Sequence, residues 1–347
     1  MKSSVMRRLT QSMLVQPSVR SYLEPLIRLF VGHYRAGFTA ARVLKIKKQA
    51  GYLWLCIKPS QSFQGFIPGQ HVDVSVEIDG RRVQRTFSIC SSLQSYQQSG
   101  LIELAMKVVA GGQFTGWLQQ ELRLGDWLYL SQAQGQFTLR QQRPACLIAA
   151  GSGITPIRAM LLSISRMTQP ITLIYSYRGQ AMFIEDFMAL AEQHPLFTLI
   201  THDTATSPRL TASDIKRVAN LPVDGDYYLC GPRAFSDELA PDLASSCHQI
   251  YQESFGGFVA SAASQQVRFH QQGHSIATQG GGALLQLAEQ AGLDPRYGCR
   301  RGVCLQCQCQ KLSGQVKNLL TGEISSAGTE PIQLCISEAL TSVEIQL

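Results

Sequence analysis

The chain has 347 residues, 45% of them hydrophobic, which is enough for two to three domains with their own cores. No run of about 18 apolar residues occurs, so no segment is predicted to span a membrane, and residues 1–16 lack the apolar stretch of a signal peptide. The ten cysteines lie mostly in apolar runs and fit a reducing cytoplasm. The net charge of +7 is uneven, because residues 1–48 carry ten Lys or Arg against one acidic residue and the remainder sums to −2.

The first predicted element is a basic amphipathic helix within residues 1–37. Its apolar face and its arginines follow helical spacing at Leu23, Leu26, Ile27, Phe30, Val31, Arg20, Arg28 and Arg35. Such a helix can lie against a membrane surface or a membrane-embedded partner. The alternative is that it packs on the domain that follows.

A strand-like run begins at His71 and ends in Arg85-Thr86-Phe87-Ser88. In this pattern an aromatic ring can pack on an isoalloxazine, a hydroxyl can reach flavin N5, and an arginine can neutralise a phosphate. Four residues alone are a weak signal, and an ordinary strand with Phe87 in the core is the alternative.

The next stretch, from Lys107 to Leu118, contains Gly111-Gly112 and Thr115. A strand is predicted before the glycine pair, and Thr115 is predicted to open a helix. Exposed N–H groups at such a helix start suit a pyrophosphate, which favours FAD over FMN. The alternative is a plain turn with Thr115 as a helix cap.

An apolar strand from Cys146 then enters Gly151-Ser152-Gly153-Ile154-Thr155-Pro156, with Pro156 predicted at the first position of a helix. Further strands are predicted at residues 171–177, 197–201 and 226–230, the last running into Cys230-Gly231-Pro232. This alternation of strands and helices predicts a parallel, doubly wound sheet. Ligands bind at the carboxyl ends of such strands, where Gly151 and Cys230 both fall.

Near the C-terminus, Cys299, Cys304 and Cys307 follow a C-x4-C-x2-C spacing, and Cys335 comes 28 residues later. This is the plant-type ligand set for a [2Fe–2S] cluster. The alternatives are a zinc site, which would need a second C-x2-C pair or histidines at ligand spacing, neither of which is present, and a disulfide pair. Gly298 and Gly302 let the loop curl. A hairpin is predicted over residues 267–277 and a helix over 282–292, while Cys309 is interpreted as a packing residue.

Together these motifs resemble the ferredoxin–NADP reductase superfamily, with Phe87 where tyrosine is more usual, followed by a plant-type ferredoxin domain. The resemblance implies a multi-domain chain with an antiparallel β-barrel that binds FAD, a doubly wound α/β domain that binds NAD(P), and an α+β β-grasp ferredoxin domain. The implied boundaries are 1–37 for the basic extension, then 38–142, 143–256 and 262–347.

The implied activity is that of an NAD(P)H-dependent electron-transfer reductase. NAD(P)H gives two electrons as hydride and the cluster accepts one, so a flavin must stand between them. Ser88 is expected to contact flavin N5, Cys230 to face the nicotinamide, and Glu253 or Phe255 to lie near the flavin. The full set of expected cofactor contacts is Arg85, Thr86, Phe87, Ser88, Lys107, Gly111, Gly112, Thr115, Gly151, Ser152, Gly153, Thr155, Pro156, Arg178, Arg209, Cys230, Gly231, Pro232 and Phe255, and the predicted catalytic residues are Ser88, Cys230 and Glu253.

The donor is predicted to be NADPH rather than NADH. NAD-specific folds commonly place an acid after the second strand, whereas an arginine there suits the 2′-phosphate. Arg178 follows the second strand and Arg209 follows the third. Relatives that use NADH can also carry an arginine here.

The acceptor is predicted to be a separate protein, and no nucleic-acid partner is expected. The ferredoxin-like part is neutral, which suggests that its donor is already attached. The segment Lys311–Glu323 and the basic extension resemble bacterial reductases of membrane-bound acyl desaturases, and place the chain in the cytoplasm at the inner face of the membrane. The reductase of a ring-hydroxylating dioxygenase or monooxygenase is the alternative, and a non-enzymatic carrier or sensor is a rival from another class. All seven histidines are interpreted as surface or packing residues.

Overall fold

The computed structural model describes residues 37–49, 51–78, 81–108, 113–219, 221–255, 265–271, 274–280, 282–298, 300, 302 and 305–347. They form a barrel, a central α/β domain and a C-terminal α+β domain in chain order. The predicted basic extension lies outside the described residues, as do Gly111, Gly112, Cys299 and Cys304. Within the described part of the chain, no helix has the length and apolarity needed to cross a bilayer.

The barrel is a six-stranded antiparallel sheet. Its strands are β1 (Thr39–Gln49), β2 (Tyr52–Pro59), β3 (His71–Ile78), β4 (Arg81–Ser88), β5 (Ile102–Lys107) and β6 (Trp127–Leu130), in the order β4-β3-β6-β1-β2-β5. An antiparallel bridge between Ile89 and Leu104 brings the end of β4 to β5, so the sheet nearly closes. Alternate residues of β2, such as Leu53, Leu55 and Ile57, fill its interior. Helices α1 (Leu93–Ser99) and α2 (Gln113–Glu121) complete the domain.

The single strand-like run predicted from His71 to Ser88 is wrong, because the chain forms two antiparallel strands there. Strands β3 and β4 pair along their whole length, from His71 opposite Ser88 to Ile78 opposite Arg81. The dipeptide Asp79-Gly80 is the sequence signal for this reversal. The reversal matters for the site because it places His71 beside the flavin motif.

The central domain is a five-stranded parallel sheet with helices on both faces. Its elements are β7 (Ala145–Ala150), α3 (Ile154–Leu162), β8 (Ile171–Tyr177), α4 (Ile184–Gln193), β9 (Phe197–Asp203), α5 (Ala212–Ala219), β10 (Asp226–Pro232), α6 (Arg233–Ala244) and β11 (Gln249–Phe255), in the strand order β11-β10-β7-β8-β9. Successive residues of β7 point to two separate cores, Leu147 to one and Cys146 to the other. The predicted doubly wound sheet is confirmed.

The C-terminal domain is a five-stranded mixed sheet with one helix packed against it. Its elements are β12 (Gln265–Gln271), β13 (His274–Gly280), α7 (Leu284–Gln290), β14 (Gln308–Ser313), β15 (Val316–Asn318), β16 (Glu330–Gln333), β17 (Ser337–Ala339) and β18 (Val343–Gln346), in the order β13-β12-β18-β14-β16, with β15 and β17 as a separate pair. Leu284 and Leu287 of α7 are buried in this core, as the helical spacing predicts. The hairpin predicted over residues 267–277 is confirmed as β12 and β13.

Arg158 of α3 holds the barrel and the central domain together. Its guanidinium donates from Nη1 to Glu103 Oε2 (2.7 Å) and to the carbonyl of Cys90 (2.6 Å) in the barrel, and from Nε to Asp186 Oδ2 (2.6 Å) in its own domain. It also lies 4.4 Å from the ring centroid of Phe183. A planar, five-donor group can satisfy all these acceptors at once, so this one side chain bonds to both domains.

Candidate functional site

The motif from Arg85 to Ser88 occupies the end of β4, at the mouth of the barrel. The Ser88 hydroxyl is buried and has no hydrogen-bond partner among the described residues. Buried polar atoms are nearly always paired, so this hydroxyl calls for a bound group. Phe87 is half-buried, with its ring centroid 5.7 Å from that of Phe114, and Thr86 donates to Asp73. These residues would hold the flavin that the sequence predicts here, with Ser88 as the expected contact to N5.

His71 is the residue that sequence reasoning missed. Its Nδ1 lies 2.9 Å from Glu253 Oε1, and both side chains are buried. His71 is buried, which agrees with the predicted packing role, and its imidazole is also paired with a carboxylate that the sequence analysis assigned to the reaction. The pairing spans 182 positions in the chain, which no local pattern encodes.

Cys230 and Glu253 lie opposite each other on neighbouring parallel strands, β10 and β11. Cys230 is fully buried at the carboxyl end of β10, and Phe255 pairs with Pro232 two positions further on. The predicted nicotinamide residue and the predicted flavin residue are thus neighbours. The register also brings Phe255 to this end of the sheet.

The turn after β7 passes so close to β10 that a side chain would not fit. A Cβ on Gly153 would lie 2.0 Å from the carbonyl oxygen of Cys230. Thr155 Oγ1 donates to the carbonyl of Ser152 and holds the turn, which follows the half-buried Gly151. Pro156 is the third residue of α3 rather than the first as predicted; the position is tolerated because the first turn of a helix has N–H groups without intrahelical partners.

A cleft of about 400 Å³ opens between the barrel and the central domain. His71, Arg140, Tyr251 and Glu253 are among the residues that line it. Arg140 lies 5.3 Å from the centroid of the Tyr251 ring, and that ring stacks on Tyr228 at 4.6 Å. The cleft therefore gives the buried pair of His71 and Glu253 a route to solvent.

Arg85 points its guanidinium toward the C-terminal domain. Its Nη1 donates to the carbonyls of Gln84 (2.7 Å) and Gly298 (3.2 Å). Burial lowers the pKa of this guanidinium, and the positive charge of Arg300 lowers it further. An anion is favoured beside a buried cation of this kind, which fits the predicted phosphate contact.

The predicted pyrophosphate cradle is only partly described. Helix α2 begins at Gln113, directly after Gly111-Gly112, so Thr115 lies inside the helix rather than opening it. Thr115 is buried, and Lys107 is exposed at the end of β5. A helix that starts at Gln113 presents its first N–H groups closer to the glycine pair than predicted.

The two predicted 2′-phosphate contacts lie at one edge of the parallel sheet. Arg178 follows β8 directly and is exposed, and Arg209 is exposed in the segment after β9. Asp203 at the end of β9 accepts hydrogen bonds from the backbone N–H groups of Gly179 (2.9 Å) and Ala205 (2.8 Å), and these bonds lower its pKa. The carboxylate thus holds the loop that carries Arg178.

Cys307 and Cys335 meet at one end of the C-terminal sheet. Cys307 precedes β14, Cys335 follows β16, and the two strands pair with Gln308 opposite Gln333. Both thiols are buried and neither forms a disulfide. The other two predicted ligands lie outside the described residues, and within the described ones no group of three metal ligands forms. The two described positions suit a cluster held by four thiolates.

Gly302 in the cluster loop adopts the left-handed conformation that favours glycine. Gly302 has φ of +77°, and a Cβ there would lie 2.7 Å from Ile336 Cδ1. The side-chain amide of Gln333 donates to the Gly302 carbonyl (2.8 Å) and ties the loop to β16. Arg300 and Leu305 also adopt left-handed conformations. The loop between the predicted ligands is therefore bent toward the strand that precedes Cys335.

The thiols of Cys90, Cys146 and Cys309 are poor nucleophiles. Burial raises the pKa of Cys90 to about 12, and it raises the pKa of Cys146 further. Cys309 also has a pKa raised to about 12, by burial and then by the neighbouring Cys307, and it packs against the domain core. These positions stay protonated at neutral pH, which agrees with packing roles.

Comparison with known proteins divides the chain in the same way. Residues 44–139 match the oxidoreductase FAD-binding domain, residues 147–240 the oxidoreductase NAD-binding domain, and residues 267–338 the 2Fe-2S iron-sulfur cluster binding domain. The chain belongs to the ferredoxin–NADP reductase superfamily and carries a C-terminal ferredoxin domain. The three matches lie inside the three domains expected from sequence, whose boundaries stay predictions.

The relatives are oxidoreductases. An NADPH oxidoreductase of Mycobacterium tuberculosis (strain H37Rv) is 27% identical over 86% of this chain and 81% of its own. A component of the 1,2-phenylacetyl-CoA epoxidase of Escherichia coli K12 is 28% identical over 75% of this chain and 81% of its own. The structure of phthalate dioxygenase reductase is 21% identical, covers 90% of this chain and 98% of that one, and superposes with a TM-score of 0.59, which shows a shared fold.

The protein is thus an NAD(P)H-dependent oxidoreductase with FAD and [2Fe–2S] domains, and the enzyme interpretation is confirmed over that of a passive carrier. When bound, the flavin accepts a hydride and releases electrons singly. The buried hydroxyl of Ser88, the close turn at Gly153, and the buried pair of His71 and Glu253 lie in the two domains that would hold FAD and NAD(P)H.

Proposed function

We propose that this chain takes hydride from NADPH and passes the electrons singly to a separate oxygen-activating enzyme, a membrane-bound fatty-acyl desaturase. The observation that carries electron delivery to another protein is the exposure of Leu305, which lies between the predicted ligands Cys304 and Cys307 and is 57% exposed. The cluster loop therefore reaches the surface, where a partner can approach it.

The surface around Leu305 is of mixed polarity and carries two exposed apolar side chains, Leu305 and Ile324. A groove of about 600 Å³ runs from Leu305 past Ile324, which is 61% exposed, to Ile336 beside the predicted ligand Cys335. Exposed apolar clusters mark interaction sites on soluble domains. Since residues 262–347 carry as many acidic as basic side chains, docking here depends on shape and apolar contact more than on charge.

Support for a membrane-bound acceptor comes from the N-terminal charge. Each basic residue near an anionic membrane surface contributes about 1 kcal/mol, and residues 1–48 carry ten Lys or Arg. The mycobacterial relative named for NADPH supports that donor. Arg178, held by the loop that Asp203 braces, is the residue we assign to the 2′-phosphate, and Arg209 is the second candidate.

A soluble oxygenase is the second candidate acceptor. It is favoured by the relatives' names, since one belongs to a phenylacetyl-CoA epoxidase and another is phthalate dioxygenase reductase. Reconstituted turnover with a membrane desaturase and with a soluble oxygenase, each measured against NADPH consumption, decides between them. Faster coupled turnover with the soluble enzyme would refute the desaturase assignment.

Deletion of residues 1–36 tests the membrane contact. The truncated protein is expected to keep its flavin and reduce ferricyanide normally, but to lose binding to anionic vesicles and to slow with the desaturase. Reversing the charges of Arg20, Arg28 and Arg35 in the full chain is the matched control, because it removes charge and keeps the segment. Unchanged vesicle binding in both variants, or loss of flavin on truncation, would refute the proposed membrane contact of residues 1–36.

The docking surface is tested by Leu305→Glu. This change is expected to slow electron delivery to the acceptor and to leave reduction of the cluster by NADPH unchanged. Leu124→Glu is the control, because Leu124 is 67% exposed on the barrel and away from the groove. Equal effects of the two substitutions would contradict docking at the groove.

A further inference from the structure

The flavin motif and the cluster loop touch each other directly. Arg85 Nη1 lies 3.2 Å from the carbonyl oxygen of Gly298, the residue immediately before the predicted ligand Cys299. The same guanidinium lies 5.3 Å from the centroid of the Tyr297 ring. A contact across the domain boundary therefore involves the first predicted flavin residue and the chain next to the first predicted cluster ligand.

Tyr297 is also held from its own domain. The guanidinium of Arg300 lies 4.3 Å from the centroid of the same ring, and Arg300 forms an ion pair with Glu289 of α7. Cations over an aromatic face are attracted to it, more strongly when they are partly desolvated. Arg85 is largely buried, and both arginines use this one ring. The tyrosine thus links the barrel to the helix that supports the cluster loop.

We propose that Tyr297 is a positioning residue for electron transfer from the flavin to the cluster: it holds the cluster loop against Arg85 and so fixes the distance between the two redox groups. The proposal rests on two assignments of the proposed function: the motif Arg85–Ser88 binds the flavin, and Cys299 is a ligand of the cluster. No chemical step is added, since one electron passes from the reduced flavin to the oxidised cluster in each transfer. The rate of electron transfer falls as the distance between donor and acceptor grows, so a cluster loop that moves away from Arg85 slows the transfer.

The contact with the loop leaves Arg85 free to bind phosphate as well. A guanidinium has five N–H donors; the carbonyls of Gln84 and Gly298 both accept from Nη1, and the Tyr297 hydroxyl is a further hydrogen-bond partner of Arg85. The remaining donors can face an anion from the flavin side. Arg85 then joins the cofactor to the ferredoxin domain through one side chain.

The test is Tyr297→Leu in the holoenzyme, followed by stopped-flow mixing with NADPH. The flavin and cluster absorptions are recorded separately, so no external acceptor is needed and the result does not depend on the partner. Flavin reduction is expected at the wild-type rate, while cluster reduction slows by about tenfold or more. Hydrogen exchange of the peptide spanning residues 297–300 is expected to rise. Tyr297→Phe, which keeps the ring but loses the hydrogen bond between the hydroxyl and Arg85, is expected to slow cluster reduction less than Tyr297→Leu.

Arg233→Ala is the matched control. Its guanidinium makes another contact between domains, from Nη2 to the carbonyl of Leu319 at 3.5 Å, and its loss is expected to leave cluster reduction unchanged. Wild-type cluster reduction in Tyr297→Leu with full FAD and iron content would overturn the proposal, as would an equal slowing in Arg233→Ala. If Tyr297→Leu fails to assemble a cluster, Glu289→Gln is the deciding variant, because it breaks the ion pair with Arg300 and keeps the Tyr297 ring. Slower cluster reduction in Glu289→Gln supports the proposal, and an unchanged rate refutes it.

Discussion

His71 and Glu253 join the barrel to the central domain through a hydrogen bond of 2.9 Å between Nδ1 and Oε1. Each partner also lies opposite a residue that we assign to hydride transfer, since His71 faces Ser88 across β3 and β4 and Glu253 faces Cys230 across β10 and β11. The pair is buried, so its charge and geometry are sensitive to the loss of either member.

His71→Leu is expected to slow the reduction of FAD by NADPH by about tenfold or more, because a buried carboxylate loses its partner and the two halves of the site shift. Stopped-flow absorption measures the rate. His248→Leu is the control: His248 also contacts a carboxylate, Asp226 at 3.2 Å, but it is half exposed at the opposite end of the sheet. Equal slowing in both variants would contradict a specific role for His71.

Cys304→Ser and Cys335→Ser are each expected to abolish the visible absorption of the cluster, while NADPH still bleaches the flavin. Thiolates are softer ligands than a serine hydroxyl and hold iron better. Cys309→Ser serves as the control, since Cys309 is near the loop but packs against the core. Retained cluster absorption in Cys335→Ser, or its loss in Cys309→Ser, would show that the ligand set is misassigned.

Arg85→Ala is expected to release FAD during purification, because the predicted contact between this cation and the phosphate is lost. Mass analysis of the released cofactor identifies it, and FMN in place of FAD would overturn the interpretation of the segment from Gly111 to Thr115. Cys56→Ala is the control, since Cys56 is buried in the same barrel and away from β4. Flavin loss in both variants would indicate a damaged barrel rather than a lost contact.

Arg178→Ala is expected to lower kcat/KM for NADPH by about tenfold and to leave kcat/KM for NADH unchanged, because only NADPH carries the 2′-phosphate. Steady-state kinetics with both donors measures this. Arg209→Ala, made in parallel, shows whether the arginine after β9 shares the contact. A wild-type preference for NADH would refute the assignment.

Asp203 gives the nucleotide-binding domain a predictable pH response. The pKa of Asp203 in the folded protein is lowered, first by the hydrogen bond from the backbone N–H of Gly179. The stability that this carboxylate contributes is therefore present above the ordinary aspartate pKa of about 4. It is lost as the pH falls through the lowered pKa of the folded state. The stability difference between wild type and Asp203→Asn should therefore be largest near pH 7 and shrink below about pH 5. Urea unfolding across this range measures it; a difference that grows on acidification would contradict the assignment.

Local patterns predicted much of the architecture. The apolar run of residues 171–177 forms β8 with the predicted bounds, and the helical spacing of Leu284 and Leu287 gives α7. These two predictions succeed because the spacing of apolar residues that are close in sequence shows which face of a strand or helix is buried. The reversal within residues 71–88 was missed because both halves are strand-forming, although Asp79-Gly80 is a turn signal.

Long-range pairings could not be predicted in the same way. Local sequence patterns do not indicate that His71 pairs with Glu253 or that Arg158 bonds to Cys90 and Glu103. In each case the two partners are distant in sequence and belong to different domains. The contact between Arg85 and Gly298 is of the same kind. Motifs thus located the cofactors, whereas the relations between the cofactor sites required the structure.

The cluster loop faces two ways, with Tyr297 and Gly298 against the barrel and Leu305 in solvent. Electrons would then enter and leave at separate places, and an acceptor docked over Leu305 would not obstruct the flavin. One hydride supplies two electrons, and both could be delivered in succession to an acceptor that stays bound. Turnover would then be paced by internal steps rather than by repeated encounters between the two proteins.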